Sequence, residues 1–153
     1  MKELTLSQIA AWCGADVPEG CGETRITGVE SDSRAIAPGN LFIALKGERV
    51  DGHDFLGAAA KNGAAAALVE HPVETGLPCL VVPDALLAYG KIAAGYRQLL
   101  GLKVIGITGS VGKTTTKEMT ACVLQGQFRT ARTDGNHNNN LGLPMSILHI
   151  PEG

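Results

Sequence analysis

Residues 103–119, KVIGITGSVGKTTTKEM, leave this chain few ways to fold. An apolar strand pattern, KVIGITG, runs into a glycine-containing loop, then Lys-Thr, then TTTKEMTACVLQ, which has helical character. A strand that turns through glycines straight into a helix is a unit of an α/β fold. Gly109 and Gly112 permit backbone angles closed to other residues, so consecutive N–H groups can turn inward around an anion. The helix starting near Lys113 adds its positive N-terminal end. Lys113 can reach the β- and γ-phosphates of a nucleotide, and the Thr114 hydroxyl is placed to bind Mg²⁺. The strict phosphate-loop pattern wants a glycine at 107, where Ile107 stands; Gly106 lies one residue too far back. A glycine-rich turn without a ligand is the plainer alternative, but Gly-Lys-Thr between strand and helix favours nucleotide binding.

Upstream, strand and helix patterns alternate. Thr5 or Ser7 can cap a first helix with Leu6, Ile9, Ala10 and Cys13 on its apolar side and Gly14 at its end. Residues 24–34 read as a strand running into a polar turn, and 41–45 as a strand buried on both faces. Asp54 is expected to cap a helix through Lys61, with strands following in AAAALVE and CLVVP. Asp84 can cap a longer helix over 85–100. A new strand begins at Lys103 or Val104, which puts a domain boundary near residue 101. The fold class is therefore α/β: a small N-terminal unit, 1–101, and the start of a phosphate-loop unit, 102–153.

Composition narrows the partners. A net charge of −2 argues against a general nucleic-acid binder, which needs a basic face. Four scattered cysteines and four histidines without ligand spacing suit reduced thiols in a cytoplasmic protein, not a zinc site. No apolar run is long enough to insert in a membrane, and MKELTLSQIA has no signal-sequence pattern.

The loop at 108–115, Thr108-Gly109-Ser110-Val111-Gly112-Lys113-Thr114-Thr115, resembles that of the Mur ligases, the ATP-dependent amide-forming enzymes of bacterial cell-wall precursor synthesis. Their loop reads T-G-[TS]-x-G-K-T-[TS], without the first glycine of the strict pattern. Folylpolyglutamate synthases share a similar loop but lack the N-terminal domain. TDGNHNNNLGLPMSIL, 133–148, resembles the asparagine-rich segment of the family member that adds D-alanyl-D-alanine to UDP-N-acetylmuramoyl-tripeptide. SDSRAIAPGNLFIALKGERVDGHDF, 31–55, resembles the UDP-substrate domain shared by that member and the tripeptide-forming one.

The resemblance implies ATP and Mg²⁺ at 108–115, with Lys113 catalytic and Thr114 on the metal. It implies that Ser31, Ser33, Arg34, Lys46, Gly47, Glu48 and Arg49 hold the UDP-substrate, and that Asn138, Asn139 and Asn140 contact substrate or Mg²⁺-bound water. The residue types agree: hydroxyls and a guanidinium suit ribose and diphosphate, and neutral amides suit phosphate or metal-bound water. Taken alone, the charges are more often ordinary surface residues and the asparagine run a turn. The family places its glutamate and histidine for Mg²⁺, its adenine site and its C-terminal domain after the asparagine segment. The chain is accordingly expected to be an N-terminal piece of a ligase, inactive by itself. The tripeptide-forming ligase, a stand-alone phosphate-loop NTPase and a nucleotide-binding module are the alternatives.

Overall fold

Two apolar runs form the middle of a four-stranded sheet in the computed structural model, which describes residues 1–47, 50–133 and 139–151. The strands are β3 (Gly28–Glu30), β4 (Asn40–Ile43), β5 (Ala66–Val69) and β6 (Cys79–Val81), all parallel and in that order. Val29 stands opposite Leu41, Phe42 opposite Ala67, and Leu68 opposite Leu80. Successive side chains of a strand point to opposite faces. Thus Leu41, Ile43, Ala66 and Leu68 enter one core, while Phe42, Ala44, Ala67 and Val69 enter another. Both faces are covered, which is why these strands read as continuous apolar runs rather than as alternation.

The first core lies under two helices, α1 (Leu6–Cys13) and α3 (Ala85–Leu99). Thr5 starts α1 with a capping box: its side chain accepts from Gln8 N–H, and the Gln8 side chain accepts from Thr5 N–H. Gly14 ends it at φ 74°, a left-handed angle that suits glycine. Residues just before and after α1 pair as a small antiparallel sheet of β1 (Leu4–Thr5) and β2 (Arg25–Ile26). Asp84 caps α3 by accepting from Leu87 N–H at 2.8 Å. The second core is closed by α2 (Leu56–Lys61).

Two expectations need correction. The cap before α2 is Asp51, not Asp54: its carboxylate accepts from His53 N–H at 3.0 Å and starts a 3-10 turn, Gly52–Phe55, that runs into α2. Asp54 lies inside that turn. The strand expected from residue 103 is not paired with any described strand, and Val104 and Ile105 are 59% and 62% exposed. A strand is defined by ladder bonds to a neighbour, and none of the described residues supplies one here.

After the loop, α4 (Lys113–Gln125) forms as expected. The last helix, α5 (Gly142–Leu148), has Pro144 in its first turn, where a missing N–H costs nothing. It packs on α3 and β3, and its Leu148 is buried in the first core. Among the described residues no helix is long and apolar enough to cross a membrane.

Candidate nucleotide and substrate sites

The phosphate loop is drawn into shape by its glycines. Gly109 has φ 152° and Gly112 φ 79°, angles that side chains rarely allow. Gly112 occupies the N-cap position of α4 and carries no side chain, so no side-chain cap covers the first-turn N–H groups. Lys113, first residue of that helix, turns back across the loop and donates from Nζ to the Gly109 carbonyl at 2.5 Å. The loop therefore carries an exposed ammonium across it, at a helix start whose first N–H groups have no side-chain cap, an arrangement complementary to phosphate. Thr114 follows in the same turn, exposed, with no hydroxyl partner among the described residues. Ser110, Val111 and Thr115 are exposed around it, and Thr108 opens the loop.

The other candidate residues gather by topology. Because β3, β4 and β5 are parallel, the segments following them emerge from one edge of the sheet, the carboxyl edge where open α/β sheets take ligands. Residues 31–34 follow β3, Lys46 and Gly47 follow β4, and Glu70 and His71 follow β5. Arg34 clasps Asp32 with two bonds, Nε to Oδ1 at 2.9 Å and a terminal nitrogen to Oδ2 at 2.8 Å. Those bonds, with the Arg34 N–H, hold the Asp32 carboxyl down at about 2. Ser33 is buried and its carbonyl accepts from Asn62 Nδ2, which fixes the turn from the α2 side. Lys46 is exposed and bridges in the backbone to Asp51, while Gly47 N–H donates to Val50. Glu48, Arg49 and Asn138 lie outside the described residues.

The asparagines divide. Asn139 uses its side-chain oxygen locally, accepting from Gly142 N–H at 2.6 Å and Leu141 N–H at 3.3 Å. Asn140 is exposed. One organiser went unnoticed in the sequence. His53 Nδ1 donates to Asp51 at 2.6 Å, its Nε2 accepts from Glu70 N–H at 3.0 Å, and its ring stacks on His71 with centroids 4.3 Å apart. Glu70 in turn accepts from Ala85 N–H at the start of α3. This chain of bonds ties together the segments after β4 and β5 and the start of α3. Its one sequence signal is an aspartate two residues before the histidine, the spacing of a side-chain turn cap.

A glycine-shaped loop with Lys113 at the start of a helix, in a chain with a parallel sheet, is the pattern of an α/β nucleotide-binding fold, and comparison places it. A family model described as Mur ligase family, catalytic domain, matches residues 25–110, and one described as Mur ligase middle domain matches 107–153. The chain belongs to the Mur ligase family. Within it, the UDP-N-acetylmuramoyl-tripeptide--D-alanyl-D-alanine ligase of Escherichia coli K12 is 44% identical over 150 residues, which are 98% of this chain and 33% of that protein. A crystal structure of MurF from Acinetobacter baumannii superposes with a TM-score of 0.93 at 39% identity, over 99% of this chain and 34% of the other. MurF from Thermotoga maritima, in complex with ADP, gives 0.76 at 36% identity over 82% of this chain and 30% of the other. The chain spans about a third of the length of the relatives it matches.

Proposed function

We propose that this chain supplies two working parts of an ATP-dependent ligase that adds D-alanyl-D-alanine to UDP-N-acetylmuramoyl-tripeptide. Residues 1–101 are the UDP-substrate unit, and 102–153 begin the ATP-binding unit. The observation that carries the reading is the phosphate loop closed by Lys113 at the start of α4, in a chain so similar along its length to a ligase of that name.

In this reading the substrate carboxylate attacks the γ-phosphorus of ATP, the bond to the bridging oxygen breaks, and ADP leaves. The amine of D-alanyl-D-alanine then attacks the acyl carbon, the bond to the phosphate oxygen breaks, inorganic phosphate leaves, and loss of a proton from nitrogen completes the amide. Lys113 and the first N–H groups of α4 hold the transferring phosphoryl group and offset its charge. Gly109 and Gly112 let the backbone of 108–115 approach the phosphates. Thr114, exposed one residue after the lysine, fits a Mg²⁺ ligand, and the ion when bound supplies further charge neutralisation. Ser31, Ser33 and Arg34 after β3 and Lys46 and Gly47 after β4 take the ribose and diphosphate of the UDP-substrate, and Glu48 and Arg49, next in sequence, are assigned to the same substrate. Asn138, Asn139 and Asn140 are assigned to substrate or metal-bound water, and Asn139 also accepts from the Gly142 N–H. The cytoplasm, where ATP and UDP-sugars are made, is the place we assign it.

Calorimetry on the chain tests this with UDP-N-acetylmuramoyl-tripeptide, UDP and Mg²⁺-ATP in separate titrations. Binding of the uridine ligands supports the reading. ATP binding at the sheet edge, with no affinity for uridine ligands, overturns it.

A further inference from the structure

The chain leaves the first core at the end of α3 and later returns to it. Leu148 of α5 is 2% exposed and belongs to that core, and Met145 and Ile147 of the same helix pack against it. Polar bonds reinforce the return. The ring of Tyr96 on α3 is fully buried, and its hydroxyl donates to the Ile150 carbonyl at 2.9 Å and accepts from Lys2 N–H at 2.7 Å. One phenol thus joins the start of the chain, α3 and the segment that follows α5. Beside it, His149 Nε2 lies 2.8 Å from Glu30 Oε1, at the end of β3.

The stretch between behaves differently. Among the described residues of 102–141, none belongs to either core. In α4 Ala121 alone is buried. A helix as short as α5, seven residues, owes its stability to tertiary packing, and that packing is on α3 and β3.

We propose that α5 folds as part of the N-terminal unit, so that the chain has no single joint near residue 101. Residues 102–141 leave one cooperative body at α3 and rejoin it at α5. The phosphate loop is then anchored to the N-terminal unit on both sides, and it moves with the sheet instead of swinging from one hinge. This rests on packing alone and stands whatever ligands the two sites take.

The sequence supplies its own reporter. Trp12 is the one tryptophan, and it packs against the first core and directly on Gly95 of α3. Urea unfolding of the whole chain, followed by Trp12 fluorescence, therefore reads the α1–α3 core. Leu148→Ala is expected to lower that midpoint by about 1 M or more, the scale of an emptied leucine site, although it lies 136 positions from the reporter. Leu148→Val should give a smaller fall in the same direction, and reads the same effect if Leu148→Ala does not fold. Leu143→Ala, at a position on α5 that is 47% exposed, and Val123→Ala on α4 should leave the midpoint in place. The proposal is overturned if neither Leu148 variant moves the Trp12 transition, or if the two exposed controls move it as far. A separate transition seen only by circular dichroism, which alone shifts in Leu148→Val, would equally overturn it, because α5 would then fold apart from the N-terminal unit.

Discussion

Lys113 and Gly109 close the phosphate loop on themselves, ammonium to carbonyl at 2.5 Å. The bond holds the ammonium over the loop, and in the proposed function a phosphate oxygen takes the carbonyl's place as its partner. In the proposed function, Lys113→Ala removes the charge assigned to the transferring phosphoryl group. In a ligase of the relatives' length that begins with this sequence, turnover should fall about 10²-fold or more, the scale for one preorganised electrostatic stabiliser. Near-normal turnover would mean that this loop is not the site of phosphoryl transfer.

Arg34 governs the ionisation of Asp32. The carboxyl sits at about 2 because the Arg34 side chain and N–H bond its charged form. A depressed acid contributes stability above its unfolded value and loses it as pH falls through the folded one. The pair should therefore be whole at neutral pH and fade between about 4 and about 2. Arg34→Ala removes the larger cause and should raise the carboxyl toward the ordinary value of about 3.9, with the N–H of residue 34 still holding it somewhat below, read from its NMR shift against pH. A value still near 2 in the variant would assign the shift to another cause.

Much of this was legible in the sequence, and what was missed shares a physical reason. Leu41 and Leu68 announced strands because burial on both faces leaves no polar alternation. Thr5 and Asp84 announced helices because a cap bonds residues within one turn of itself. Gly109 and Gly112 marked the loop for similarly local reasons. His53, by contrast, acts through Glu70 seventeen positions away, and His149 through Glu30 across 119. Spacing rules do not reach that far. Asp51, not Asp54, caps the turn, and beside it the backbone of 44–45 packs closely against Gly52, a contact outside the helix that local spacing does not show.

That contact yields a stability prediction. A Cβ on Gly52 would meet the Leu45 nitrogen at 2.6 Å, the Leu45 oxygen at 2.7 Å and the Ala44 carbonyl carbon at 2.9 Å. All three are backbone atoms of the segment leaving β4, so none can rotate aside. Gly52→Ala should destabilise the chain by about 1–3 kcal/mol, the usual range for overpacking. The midpoint of urea unfolding measures it. An unchanged midpoint would show that the 45–52 loop yields freely.

The segment before the phosphate loop carries the last prediction. Val104 and Ile105 are more than half exposed, and nearby on α4 so are Met119 and Val123, at 66% and 77%. Ile105, Met119 and Val123 line one shallow apolar groove. Residues 103–108 also make no ladder with a described strand, so their N–H and C=O groups can pair with another chain. Amides there should exchange far faster than those of β4 and β5, which sit inside the parallel sheet. The same unpaired edge and apolar groove should make the chain associate as concentration rises. Ile105→Lys places a charge on that surface and should move the association to higher concentration without lowering the unfolding midpoint, since its side chain is not in either core. Sedimentation velocity over a concentration series reads the first effect, and urea unfolding reads the second. A chain that stays monomeric throughout while protecting 103–108 as strongly as β5 would show that this segment is already paired, and that the edge is closed.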